Sequence, residues 1–183
     1  MKQELTLRML LSDYTFFFPE KNRFYTWQAP TVQGDQDSMA ELLFSLLHEQ
    51  FSNITVAPYY AGHFIFQKST EGKFFIVNGL QRITTFTILL NEIFKCLKTK
   101  RPLNESEEIF IKNTIKVHPT DRFVHCFKDS QSLNNISKVA TFFSKKISDK
   151  DESFLTKMVE IISNAVCTTY VIEGDNLYML KNE

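Results

Sequence analysis

The residues best suited to chemistry lie between an apolar strand pattern that ends at Val77 and an amphipathic helix pattern. Asn78 and Gly79 form the junction, and Gln81 and Arg82 stand at the mouth of the helix. Glycine lets the backbone turn sharply or approach a ligand closely. A helix N-terminus presents unsatisfied N–H groups, to which a guanidinium adds a planar fork of donors. The arrangement predicts a phosphate site; the alternative is an arginine that pairs with a nearby carboxylate.

Four further residues are candidates for the same site. Thr84 and Thr85 would add hydroxyl groups in the first turn of the helix, where they could contact a phosphate. Gly62 and His63 lie in a predicted strand and could face the same cleft as Arg82. The alternative for His63 is a partly buried, hydrogen-bonded histidine, which is the commoner situation for a single histidine.

A polar, turn-rich segment over residues 19–35 carries three aromatic residues, Phe24, Tyr25 and Trp27. A loop with so much aromatic area either folds back onto the core or binds a ligand. The abundance of phenylalanine, 18 residues in all, favours a Phe-packed core for most of the aromatic side chains, with base stacking for one or two of them at most.

Regular elements around these residues follow from hydrophobic spacing. Ser38 begins a capping box with Glu41, which predicts a helix over 38–51. Two apolar runs flank Gly72 and predict a hairpin, and the helix after Arg82 ends before Pro102. The remaining predictions are a helix over 5–11, a strand over 14–18, hairpin strands over 62–67 and 73–77, a helix over 82–99, an ambiguous run over 109–117, a short helix over 121–127, helices over 132–147 and 153–166, and a strand over 167–172.

Composition limits the classes of partner. The 183 residues carry 21 Lys+Arg and 21 Asp+Glu, so the chain as a whole has no strong basic footprint for DNA. Lys95, Lys98, Lys100 and Arg101 form a local basic run, which either binds DNA or complements a helix dipole. With 43% hydrophobic residues, the length suits one domain, or one domain with a helical extension.

Cysteine usage and hydropathy favour a cytoplasmic protein without a cysteine-based metal site. The three cysteines include no CxxC pair, so neither a zinc site nor a disulfide framework is predicted. His125 and Cys126 are adjacent, and we interpret the pair as structural. We expect no signal peptide and, because no apolar run reaches about 18 residues, no membrane span.

Residues 76–86, IVNGLQRITTF, resemble the (I/V)DGQQR-L-T-T signature of the N-terminal domain of GmrSD-type restriction proteins. Residues 19–27, PEKNRFYTW, are similar to the loop that precedes it in that family. Weaker similarities follow in the same order at 60–65, 117–122 and 133–143, so the resemblance covers most of the chain.

This resemblance implies an α+β fold, with a ParB/sulfiredoxin-like domain over 1–102 and a mainly helical extension over 103–183. It implies a bacterial restriction or defence function with nucleotide binding and hydrolysis, a nucleoside triphosphate with Mg²⁺ as cofactor, and DNA and a separate nuclease or helical chain as partners. The residues that it implies are catalytic Asn78, Gln81 and Arg82, phosphate-binding Arg23, Tyr25, Gly79, Gln81, Arg82, Thr84 and Thr85, and a cleft with Asn22, Gly62 and His63.

The sequence departs from the family pattern at two motif positions. Asn78 replaces the motif's only carboxylate, and Leu80 replaces a glutamine. An amide neither binds Mg²⁺ well nor acts as a base. Three readings therefore remain open: a nucleotide-hydrolysing enzyme, a binding or partner-docking module without catalysis, and a vestigial fragment. The end of the chain resembles a truncated member of the family or a stand-alone module.

Overall fold

The computed structural model describes residues 1–13, 16–17, 24–31, 37–51, 57–72, 74–114, 127 and 129–174. Helices and one mixed sheet make up this part of the chain, which confirms the predicted α+β class. The described strands are β1 Lys2–Thr6, β2 Phe16–Phe17, β3 Tyr60–Lys68, β4 Phe74–Asn78 and β5 Val166–Glu173. The described helices are α1 Leu7–Asp13, α2 Met39–Glu49, α3 Leu80–Lys100, α4 Glu105–Thr114, α5 Ser130–Ile147 and α6 Glu152–Asn164.

The described strands lie in the order β1-β5-β3-β4-β2. β3 and β4 form the predicted antiparallel hairpin, whose turn contains Gly72 with a φ of 79°. β5 runs parallel to β3 and antiparallel to β1. The pairing of β3 with β5 shifts register between Tyr60 and Gly62, which marks an irregularity at the start of β3.

β5 joins the two segments that the sequence divides at residue 102. This strand comes from the second segment, yet it lies inside the sheet between β1 and β3 of the first segment. Residues 103–183, predicted as a mainly helical extension packed on the first part, therefore contribute a strand to the sheet as well as helices, and the division at residue 102 stays a prediction. The ParB/sulfiredoxin-like character of the first segment stays a prediction.

The helices begin where the sequence places capping side chains. Ser38, Asp129 and Asp151 each accept a hydrogen bond from the backbone N–H group three residues later. The run over 109–117 is resolved as a helix as far as residue 114 by α4. The predicted helix over 121–127, apart from Phe127, and most of the predicted strand over 14–18 lie outside the described residues.

The N-terminus differs from its prediction. We expected a helix over 5–11, and the structure has β1 up to Thr6 followed by α1. The reason is tertiary: Leu5 and Thr6 pair with Cys167 and Val166 of β5, a partner that local spacing does not reveal. Pairing with a distant strand overrides the helical pattern of the apolar residues.

The core forms around α3, which packs against α5 and α6. Every residue of α3 from 83 to 90 is buried, including Thr84, Thr85 and Thr87. Phenylalanine supplies much of this core, as predicted; the fully buried rings are Phe64, Phe66, Phe86, Phe127 and Phe143. None of the described helices is long and apolar enough to cross a membrane.

Two of the four cations at the end of α3 form local ion pairs. Lys95 pairs with Glu92 at 2.8 Å, and Arg101 pairs with Glu107 at 2.7 Å and Glu152 at 2.8 Å. The Arg101 guanidinium holds the pKa of Glu107 below its usual value through its hydrogen bonds. Lys95 and Arg101 therefore stabilise the helix end and its neighbours, whereas Lys98 and Lys100 lie exposed on the last turn of α3.

Candidate functional site

A tight turn joins β4 to α3. Gly79, between Asn78 and Leu80, has a φ of 101°, in the left-handed region that favours glycine. A Cβ atom at this position would overlap the ring of Phe64, which is fully buried in β3. Because glycine has no side chain, the first turn of α3 receives no side-chain cap from Gly79. The predicted strand–glycine–helix arrangement is therefore present, and the ring beneath it requires the glycine.

Arg82 connects this turn to the irregular start of β3. Its guanidinium donates to the carbonyl oxygens of Ala61 and His63, each at 3.1 Å, and lies 3.5 Å from Oδ1 of Asn78. The guanidinium carbon stands 5.2 Å from the centroid of the Phe64 ring. Among the described residues Arg82 has backbone carbonyls and an amide as partners, whereas the alternative reading expected a carboxylate.

Gly62 makes this position of Arg82 sterically accessible. Gly62 has a φ of 98°, and a Cβ atom there would overlap the Arg82 guanidinium. Gly62 and Arg82 are thus in direct contact, and a place for Gly62 and His63 in a ligand cleft stays a prediction. His63 contributes its carbonyl group, and its side chain is exposed. Burial raises the pKa of the nearby Tyr59 hydroxyl, and the Arg82 charge partly offsets that rise.

Gln81 holds the aromatic segment against the turn. Its Oε1 accepts hydrogen bonds from the backbone N–H groups of Thr26 at 2.9 Å and Trp27 at 3.4 Å. Its Nε2 donates to the carbonyl oxygen of Phe24 at 2.7 Å. All three contacts use the Gln81 side chain, so this residue positions one wall of the site. The sequence predicted Gln81 as a ligand contact, and no local pattern indicated its hydrogen bonds to residues 24–27.

Tyr25 anchors the same segment in the core. Its side chain is fully buried and its hydroxyl hydrogen-bonds to Oγ1 of Thr85 at 2.8 Å. Its backbone N–H donates to Oγ of Ser132 at 2.8 Å, and its carbonyl accepts from Nδ2 of Asn135 at 3.0 Å. Burial raises the pKa of the Tyr25 phenol, so the side chain is a neutral structural partner. Sequence reasoning missed Ser132 and Asn135, which lie more than 100 positions away.

The two threonines of the motif lie inside the protein. Oγ1 of Thr85 donates to the carbonyl of Gln81 at 2.8 Å, so Tyr25 must donate to Thr85. Oγ1 of Thr84 is buried and has no hydrogen-bond partner within the described residues. In this conformation the side chains of Thr84, Thr85 and Tyr25 therefore pack in the core beneath the site. Phosphate contact by these three residues stays a prediction.

These elements enclose a cavity of about 530 Å³, which we call the turn cleft. Its described lining is Phe24, Thr26, Trp27, Val77, Asn78, Gly79, Leu80, Gln81 and Arg82. The predicted Asn78, Gly79, Gln81 and Arg82 thus meet in one cleft, with the exposed aromatic Phe24 facing them. The predicted Asn22 and Arg23 lie outside the described residues. Chemically, the cleft offers backbone and guanidinium donors beside aromatic surface.

The fold and the cleft define an α+β domain built around a strand–glycine–helix turn. A family model described as GmrSD restriction endonuclease, N-terminal domain, matches residues 7–182. The chain belongs to this family, and the resemblance seen in the sequence is confirmed. Membership indicates a role in a restriction or defence system. Neither the search of curated proteins nor the search of solved structures found a match.

Proposed function

We propose that the chain is a nucleotide-binding module of a restriction or defence system, with the nucleotide held in the turn cleft. The observation that carries this proposal is the composition of the cleft: the start of α3 and Arg82 on one side, and Phe24 and Trp27 on the other. Its volume of about 530 Å³ is in the range of small-molecule sites. Phosphate fits the donors of the helix start, and a nucleobase fits the aromatic wall.

Arg82 retains capacity for a ligand. A guanidinium has five N–H donors, and the contacts to Ala61, His63 and Asn78 involve three of them. The charge also has no carboxylate partner among the described residues to neutralise it. A phosphate in the cleft would therefore be its nearest counter-ion.

The same lining fits a protein-held magnesium ion poorly. Mg²⁺ is usually held by carboxylates, and the described lining of the turn cleft contains none. Asn78, at the position of the family's aspartate, offers an amide oxygen that already lies near Arg82. These residues support binding of a nucleotide through its phosphate and base, and they supply no base for hydrolysis.

Thermal unfolding tests nucleotide binding. A nucleoside triphosphate at about 100 times its dissociation constant should stabilise the fold by roughly 2.7 kcal/mol, which raises Tm by about 5–10 °C at this length. Phe24→Ala should remove most of this shift, because it deletes exposed aromatic surface from the cleft. Ile109→Ala, which alters an equally exposed apolar residue on α4, is the matched control. The absence of a shift with ATP, GTP, CTP and UTP would contradict the proposal and favour a docking or vestigial domain.

Asn78→Asp separates a binder from a hydrolase. We expect the natural chain to release no phosphate above background, and the variant to hydrolyse nucleotide with Mg²⁺ at about 100 times that background rate, because a carboxylate supplies a metal ligand and a base. Leu80→Gln is not added, since Leu80 is 4% exposed and a buried amide costs about 1–3 kcal/mol. The control is Asn113→Asp on the exposed side of α4. Equal hydrolysis by the natural chain and the variant would show that Asn78 does not prevent catalysis.

A further inference from the structure

A second cavity, of about 1210 Å³, lies between residues 28–31 and α5. α5 lines it with a stripe of hydrogen-bonding or charged side chains, which we call the α5 stripe: Gln131, Asn134, Lys138, Thr141 and Lys145. Their spacing of three or four residues places them on one face of the helix. At 1.5 Å per residue the stripe is about 21 Å long. The buried residues Ile136, Val139 and Phe143 hold the helix to the core.

The α5 stripe carries uncompensated positive charge. Lys138 and Lys145 are exposed, and their ammonium groups have no ion-pair or hydrogen-bond partner in the part of the chain that the structure describes. A third lysine of the cavity, Lys146, is bonded to Glu41 at 2.9 Å. Glu41 is the only acidic residue in the described lining. In a chain of zero net charge, this cavity thus has a local excess of two positive charges.

The side chains present match a sugar–phosphate backbone. Lysine ammonium, amide and hydroxyl groups are the side chains that contact phosphates and sugars in protein–DNA complexes, and such contacts carry no sequence information. Arginine, the commonest reader of guanine edges, does not occur in the described lining. Gln131 and Asn134 are amides that can also read adenine edges. The excess positive charge of the lining nevertheless makes phosphate contact the main source of binding.

Duplex DNA fits this surface better than a single strand. Proteins that bind single strands stack the bases on exposed aromatic rings. The one aromatic ring in the described lining, Phe142, is half-buried, and the Lys146 ammonium stands 5.4 Å from its centroid. We propose that the α5 stripe binds the phosphate backbone of duplex DNA without sequence preference, at a surface distinct from the turn cleft.

Salt dependence of duplex binding, measured by fluorescence anisotropy with the whole chain, tests this proposal. Two phosphate contacts give a slope of log K against log salt of about −1.8, so a fourfold rise in salt weakens binding about 12-fold. Lys138→Gln/Lys145→Gln should weaken binding and bring the slope close to zero. Lys98→Gln/Lys100→Gln removes the same charge from the last turn of α3 and should leave the slope unchanged. Equal slopes for the two double variants would overturn the proposal.

A gain of binding provides a second, independent readout. Glu41→Gln releases Lys146 from its ion pair and should make the slope steeper by about 0.9. Two duplexes of unrelated sequence should bind equally. Tighter binding of a single strand than of duplex would overturn the proposal. Displacement of duplex by polyglutamate at equal charge would also overturn it, in favour of an acidic protein partner. The nucleotide-induced Tm shift should be the same in the Lys138→Gln/Lys145→Gln variant, so failure of one proposal is distinguishable from failure of the other.

Discussion

We expect the Gly79→Ala variant to lose about 2–5 kcal/mol of folding free energy, one of the two largest effects that the structure predicts. Two causes act together. A residue with a Cβ atom is disfavoured by about 1–2 kcal/mol in the left-handed region, where Gly79 has a φ of 101°. The added methyl group would also overlap the buried ring of Phe64, and overpacking a core costs about 1–3 kcal/mol. The corresponding fall in Tm is about 5–15 °C.

Gly72→Ala separates the two causes. Gly72 also has a positive φ, of 79°, but nothing lies within 4 Å of the Cβ atom that alanine would add. This control therefore reports the backbone penalty alone, and urea denaturation should show a clearly smaller loss for it. In the double variant Gly79→Ala/Phe64→Leu, leucine replaces the ring that the added methyl group would overlap. The combined loss of folding free energy should therefore be smaller than the sum of the two single losses. Equal losses for Gly79→Ala and Gly72→Ala would show that the contact with Phe64 does not constrain the turn.

The elements that the sequence predicted correctly are those whose causes are local. Ser38 caps a helix by accepting a hydrogen bond from the N–H group of Glu41, and the two residues lie within four consecutive positions of the sequence. The hairpin around Gly72 and the amphipathic helices α5 and α6 follow in the same way from short-range spacing. β1 was missed because its residues owe their conformation to β5, more than 150 positions away.

The same distinction applies to the turn cleft. The sequence located the strand, the turn and the helix, since glycine and hydrophobic spacing mark them directly. It could not reveal that Gln81 bonds to residues 24–27, or that Tyr25 is fixed by Ser132 and Asn135. Those contacts depend on how distant segments meet, and glutamine, serine and asparagine are equally common in solvent. Whether a side chain of the motif supports the fold or remains accessible to a ligand depends on tertiary contacts.

This result changes how the family motif is interpreted in this chain. Gly62, Gly79, Gln81 and Arg82 form an interlocked unit whose contacts are internal. Such residues would persist in a domain that needs them for its fold, whether or not a nucleotide binds. Loss of nucleotide binding in an Arg82 variant is therefore ambiguous, which is why Phe24→Ala is the better test of the cleft.

The second large effect concerns Arg82 and Gly62. Arg82→Ala removes two hydrogen bonds from a charged donor to the carbonyls of Ala61 and His63. Hydrogen bonds to charged groups contribute about 1.5–3 kcal/mol each, and partial exposure lowers this, so we expect a loss of about 2–4 kcal/mol. Gly62→Ala should lose a similar amount, since its φ of 98° disfavours alanine and its methyl group would displace the guanidinium from the carbonyls of Ala61 and His63.

The two substitutions should not be additive, and a double-mutant cycle measured by urea denaturation shows why. In Gly62→Ala/Arg82→Ala the overlap is gone, because the guanidinium that the methyl group would meet is absent; only the backbone penalty and the lost hydrogen bonds remain. We expect a combined loss about 1–2 kcal/mol smaller than the sum, within the range for residues in contact. Arg8→Ala, which removes a half-buried arginine that bonds to Ser106 at 2.9 Å and lies 4.7 Å from the centroid of the Phe110 ring, should lose about 1 kcal/mol. Strict additivity would contradict the prediction, and so would an Arg82→Ala loss no larger than that of Arg8→Ala. Either result would mean that Arg82 does not hold the turn to β3 and that its guanidinium is free to bind a ligand.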